Sequence, residues 1–160
     1  MRTKKQEIIG SMDKGFLEIA DKFFGDAVQG RDLGHFKEKA YRKVDKAEAA
    51  KIKASTNIDL EEYEHKITNY DINKIYKNHG KLSTEKPRGQ KAVTKDDIKL
   101  IPEITKNYDS IEITNRLSEN KRVIKYTKQI GDLYFYFETI GGKKSRDLRP
   151  KTMYIRKINE

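Results

Sequence analysis

The stretch from Val123 to Ile140 constrains this chain most. Apolar and aromatic residues alternate with polar ones on both sides of Gly131-Asp132, and a two-residue link of this kind between alternating runs predicts a β-hairpin. Leu133-Tyr-Phe-Tyr-Phe-Glu-Thr-Ile140 is the most strand-like segment of all. Ile111 and Ile113 alternate ahead of it, Ser118-Glu-Asn120 reads as a turn, and Gly141-Gly142 turns the chain again. Lys151–Arg156 makes a last strand with Pro150 at its mouth. Proline has no ladder donor, so that mouth is expected to be an edge or a bulge. The sum is a four-stranded antiparallel meander that needs helices over one face.

Helix patterns supply that cover. Ile8, Met12, Phe16, Ile19, Phe23 and Phe24 recur every three or four residues, with Gly25 as the expected stop. Asp32 would cap a second helix running to about Lys53, with Ala-Ser-Thr-Asn at 54–57 as a junction. From Ile58 the texture alternates as in a half-buried strand and slips phase near Glu61-Glu62, which predicts a bulge or turn. Asn69 or Asp71 would cap a short helix ending at Asn78-His79-Gly80, where Gly80 suits a left-handed stop. Thr94-Lys-Asp-Asp97 is a hydroxyl cap with an acid three residues on, and Pro102 restarts a second short turn. The expected architecture is α+β: two N-terminal helices in an extension over residues 1–57, then an α+β domain over 58–160 in which short helices pack on a four-stranded antiparallel sheet.

Charge and composition narrow the function. The chain has 160 residues with no Cys, which excludes disulfides, thiolate catalysis and Cys-based zinc. No run approaches the ~20 apolar residues of a membrane span, and the charged start lacks the apolar core of a signal peptide. The net charge is +10. Residues 121–160 alone hold 11 basic and four acidic groups, the footprint of a polyanion binder, although Lys-rich surfaces also serve solubility.

Three features carry chemistry. His79 ends a helix, where the partial negative charge of the last carbonyls attracts a cationic ring, and imidazole in general serves as acid or base near neutrality. A capping or surface His is the plainer reading. His65 lies on the preceding strand and either packs there or divides acid and base roles with His79. The third is a basic strand set: Lys125, Tyr126 and Lys128, then Lys143, Lys144, Arg146, Arg149, Lys151, Thr152 and Arg156. Period-two alternation puts Lys151, Met153 and Ile155 on one face and Thr152, Tyr154 and Arg156 on the other. Cations and hydroxyls there would grip a phosphodiester, and Tyr126, Tyr134, Tyr136 and Tyr154 would stack on unpaired bases. A solvated sheet face with ordinary Tyr packing is the alternative. No Walker loop, His-Glu-x-x-His, Gly-x-Ser-x-Gly or carboxylate cluster for Mg²⁺ is present, so no metal or cofactor is expected.

From about Ile58 onward an ordered series of short motifs appears. Asp59-Leu60 and Tyr63-Glu-His65-Lys-Ile67 lead to Asn78-His79-Gly80, Arg88-Gly89-Gln90 and Val93-Thr94-Lys-Asp-Asp97. Leu100-Ile101-Pro102-Glu-Ile104, Lys125-Tyr126-Thr-Lys128 and Lys151-Thr152-Met153 follow. Their order and spacing resemble the phage-associated branch of the barnase–EndoU–colicin–RelE-like nuclease superfamily, over about 100 residues. The resemblance implies a small α+β fold and metal-independent RNA cleavage. By matching position it makes His79 the principal catalytic imidazole and His65 a second acid or base. It sets Arg88 and Gln90 in an Arg-Gly-Gln motif and Lys151 and Thr152 in a last-strand Lys-Thr motif. By chemistry, Lys151 and Arg88 would face the phosphate and Thr152 would position substrate, with Gln90, Lys125, Tyr126, Lys128, Tyr136 and Arg156 contacting the RNA.

The expected function is a toxin-type endoribonuclease acting by 2′-hydroxyl transesterification in the cytoplasm of a bacterial target cell, delivered by a phage or a secretion system. Transfer, messenger and ribosomal RNA stay open as targets. An acidic immunity or antitoxin protein is the expected partner. A non-catalytic nucleic-acid-binding module and a phage assembly protein are the rival readings.

Overall fold

The computed structural model describes residues 2–116 and 121–158. In chain order the helices and strands are α1 (Lys4–Gly10), α2 (Lys14–Gln29), β1 (Glu38–Lys43), α3 (Lys46–Thr56), β2 (Glu64–Thr68), α4 (Asn69–His79), α5 (Leu82–Glu85), β3 (Gln90–Lys91), α6 (Lys95–Lys99), α7 (Ile101–Lys106), β4 (Ser110–Arg116), β5 (Lys121–Ile130), β6 (Asp132–Ile140) and β7 (Asp147–Arg156). The expected turn at Ser118-Glu-Asn120 lies outside the described residues.

The meander is there: β4, β5, β6 and β7 pair antiparallel in sequence, and Gly131 turns the β5–β6 hairpin at φ 75°. The sheet does not stop at four strands, however. Among the described residues its order is β1-β2-β7-β6-β5-β4, with β2 parallel to β7 and β3 paired to the end of β7. The class is α+β as expected, but the sheet is larger and mixed. Of the added strands, β2 follows the alternation read from Ile58 onward, whereas β1 and β3 have partners far off in sequence and local alternation does not announce them.

The N-terminal region departs most from expectation. Helix α2 runs through Gly25 and stops at Gly30, which takes the left-handed conformation at φ 66°. Residues 38–43 are a strand rather than part of a helix, because β1 pairs with β2 and that tertiary ladder overrides a weak Lys/Ala helix tendency. Only α3 remains of the second helix, capped by Asp45. The first 57 residues are also woven into the core: Phe16, Ala20, Phe23, Val44 and Ile52 join Ile67, Ile75, Tyr136 and Ile155 in one apolar cluster.

Other local readings hold. Glu62, at the expected slip, sits at φ 75° in a turn. Thr94 and Asp97 form a reciprocal capping box, and α7 begins with Pro102 in its first turn. Thr68 rather than Asn69 or Asp71 caps α4, its hydroxyl accepting from the Asp71 N–H. Gly80 is not left-handed; its φ is −93°. Glycine is required there for space, since a Cβ would sit 2.7 Å from the Tyr76 carbonyl oxygen. Among the described residues no helix is long and apolar enough to cross a membrane.

Strand β7 carries the feature that shapes the site. Phe137 pairs with Thr152 and Glu138 with Pro150, so Lys151 is an extra residue at a bulge. Leu148 and Pro150 are buried before it, Met153 and Ile155 after it. Lys151 therefore does not share the face of Met153 and Ile155, as strict alternation suggested. It lies with Arg149, Thr152, Tyr154 and Arg156 on the outer face of the sheet.

Candidate functional site

Helix α4 delivers His79 to that outer face. Ile72 and Ile75 anchor the helix in the core, and Tyr76 meets Phe24 edge-on with ring centroids 5.6 Å apart. At its start Asp71 pairs with Arg149 of β7, Nε to Oδ2 at 3.0 Å. At its end the His79 ring lies 5.8 Å from the ring of Tyr154, further along the same strand. The Val93 N–H donates to the His79 carbonyl at 2.8 Å, tying the following loop to the helix end.

That loop returns a carboxylate to the ring. Glu85 is fully buried, and its Oε1 lies 2.7 Å from His79 Nδ1. Its Oε2 accepts from Arg88 at 3.3 Å, and the same Arg88 nitrogen donates to the Asn78 carbonyl. A carboxylate on Nδ1 fixes the tautomer with the proton there and leaves the Nε2 lone pair for other work. Among the described residues Nε2 makes no hydrogen bond, and the His79 side chain keeps 14% of its surface open. The guanidinium of Arg88 is half exposed beyond its bond to Glu85.

Around the ring stand aromatic and cationic side chains. Phe135 stacks on Tyr154 at 4.8 Å and 23°, with Phe137 6.1 Å from the same Tyr. Lys125 Nζ is 5.3 Å from the Phe135 centroid, and the Arg156 guanidinium is 5.9 Å from it. Gln90 is paired across from Arg156, which puts both side chains on one face. Its Oε1 is buried without a partner among the described residues. Toward the other end of β7, Arg149 and Lys151 line a cleft of about 900 Å³ together with Lys74, Arg122 and Lys143.

Of the residues singled out from sequence, His79, Arg88, Gln90, Lys125, Lys151, Thr152 and Arg156 thus gather on or beside one face. Five others do not. His65 is fully buried on the inner side of the sheet, with Nδ1 2.9 Å from Glu138 and Nε2 2.8 Å from Glu48. Both ring nitrogens are engaged, so none is left for a substrate. Burial alone would lower its pKa, but the charge of Glu138 and the bonds to Glu138 and Glu48 outweigh that and raise it. Burial alone would raise Glu48, yet the bonds from His65 and Arg42 hold it down to about 2. Tyr126, Tyr134 and Tyr136 are also buried, which withdraws all three from substrate contact. Lys128 points along the inner side of β5 toward Asp109, 3.5 Å away.

The sequence reading missed Glu85, Phe135 and Phe137. Glu85 sits six residues past His79 with no short motif to mark it; only the helix end folding back on itself joins them. Phe135 and Phe137 carry no outward signal in the sequence, since a Phe on a half-buried strand reads as core and a Tyr as the outward ring. Here Tyr126, Tyr134 and Tyr136 turn inward instead, and Tyr154 stays on the outer face. The Tyr126 hydroxyl donates to buried Glu138 at 2.7 Å, and Tyr134 donates to buried Asp97.

No curated protein and no solved structure matches the chain. The family model does: residues 42–160 match the phage-Barnase-EndoU-ColicinE5/D-RelE like nuclease3 family, and with three quarters of its length inside that match the chain belongs to this family of phage-associated nucleases.

Proposed function

We propose that this nuclease is an endoribonuclease that uses the RNA 2′-hydroxyl as its nucleophile and needs no metal. The observation that carries the reading is the His79–Glu85 pair opening onto a cationic sheet face. Nε2 of His79 takes the proton of the 2′-hydroxyl. The 2′-oxygen bonds to phosphorus, the bond to the 5′-oxygen breaks, and that oxygen takes up a proton from solvent. The products are a 2′,3′-cyclic phosphate and a free 5′-hydroxyl. Glu85 is a positioning residue: it holds the ring and balances the imidazolium that forms. Arg88, Lys151 and Arg156 offset the charge that grows on the phosphoryl oxygens, and the Thr152 hydroxyl orients the strand.

The same reading carries an acidic inhibitor protein, whose carboxylates would suit the excess of seven positive charges over residues 121–160, and action in the cytoplasm of a bacterial target cell. The test is incubation with RNA in excess chelator, comparing wild type with His79→Ala. Wild type should leave cyclic phosphate ends and the variant should lose roughly 10²–10⁴-fold in rate. Intact RNA with wild type, or equal cleavage by both, would end the proposal.

A further inference from the structure

The two aromatic pairs on β6 face the wrong way for a strand whose outer side meets only water. Tyr134 and Tyr136 are buried, while Phe135 and Phe137, which have no polar atom to offer solvent, are only half-buried and lie on the outer face. The arrangement costs stability, because the Tyr136 hydroxyl is buried with no partner among the described residues. Exchanging the roles would put the hydroxyls in water and the apolar rings in the core. The outward rings are arranged, moreover: Phe135 and Tyr154 stack at 4.8 Å, Phe137 adjoins them, and Lys125 and Arg156 stand over the Phe135 ring.

We infer that Phe135, Phe137 and Tyr154 form a platform on which unpaired bases stack, so that the substrate is a single-stranded segment rather than a duplex. Half-buried on the outer face, these flat rings suit an exposed base and find nothing to grip on a helix whose bases already stack on one another. Lys125 and Arg156 supply the charge that holds the accompanying backbone. From Arg149 to Arg156 the strand spans about 23 Å at about 3.3 Å per residue, so the bound segment is a few nucleotides long. Its flank enters the 900 Å³ cleft beside Lys151. This rests on the proposed nucleic-acid face, though not on cleavage.

The test measures binding alone. Wild-type protein is titrated with a 2′-O-methyl oligonucleotide carrying one 2-aminopurine, which has no 2′-hydroxyl to react. Expected are tighter binding of the single strand than of its duplex and a fluorescence quench as the probe stacks. An otherwise identical strand with abasic positions should bind roughly tenfold more weakly. Phe135→Ala should lose the quench and Phe135→Trp should keep it. Equal binding of single strand, duplex and abasic strand would overturn the inference, since it would mean that phosphates alone are held. The abasic comparison uses unaltered protein and survives any folding defect of Phe135→Ala. If RNA is bound with the quench but not cut, the cleavage proposal fails and this one stands.

Discussion

Glu85 is wholly shielded from solvent, yet its Oε1 lies 2.7 Å from Nδ1 of His79, a ring that opens to the surface. One partner is therefore fixed in the protein while the other presents its remaining nitrogen outward. Glu85→Gln keeps the shape and removes the charge. We expect kcat to fall about 10- to 100-fold with KM little changed, and the ring-nitrogen NMR shifts of His79 to report a loss of the Nδ1–H tautomer. An unchanged tautomer with full kcat would show that the carboxylate does no positioning.

His65 should matter to stability and not to the chemical step. Removing one member of a buried, hydrogen-bonded charge network costs on the order of 3–5 kcal/mol. His65→Leu should therefore lower the denaturant midpoint strongly. Any variant population that stays folded should still cut at the wild-type kcat.

The same network sets a pH window. Glu48 is held down to about 2, so its contribution is complete above the ordinary value of 4.5 and drains away as pH falls toward 2. His65 is raised, so its contribution is complete below the ordinary 6.5 and is lost as pH climbs through its folded value. The melting temperature should decline on both flanks. Glu48→Gln should flatten the acid flank, and an identical acid flank in that variant would remove Glu48 as its cause.

Lys125 and Arg156 should contribute to affinity chiefly through counterion release. For a single strand the slope of log affinity against log salt is about −0.7 per phosphate contact. Alanine at either position should make the slope shallower by about that amount while leaving thermal stability near wild type. A slope that does not move would take that cation out of the interface.

The N-terminal region should not be separable from the rest. Phe23 is 2% exposed within the common core, and Phe23→Ala should cost roughly 3–5 kcal/mol. Removing residues 1–55 would also delete β1 from the sheet edge. The truncated chain should lose its cooperative thermal transition.

What the sequence made legible follows the range of the interactions. The Gly131 hairpin, the Thr94–Asp97 cap, the turn at Glu62 and the helix ending at His79 are all decided within a few residues. The β1–β2 ladder is decided across 21 to 30 residues of chain and the parallel β2–β7 pairing across 83, and local pattern misread β1 as helix. In the site, motif order singled out His79, Arg88 and Gln90. Which face each strand residue occupies was less readable, because buried Asp97 and Glu138 supply partners that let Tyr134 and Tyr126 turn inward. Without knowledge of those acids, a Tyr hydroxyl reads as pointing to water.

The extra residue at position 151 gives β7 a property of its own. Upstream of it the outward positions are odd-numbered and downstream they are even-numbered, so the strand lends its cations, hydroxyl and ring to a single side only while the count stays as it is. Deleting one residue there would rotate Thr152, Tyr154 and Arg156 into the apolar interior and turn Met153 and Ile155 out. Point changes on that side can retune what is held, whereas a shift in length would dismantle surface and core at once.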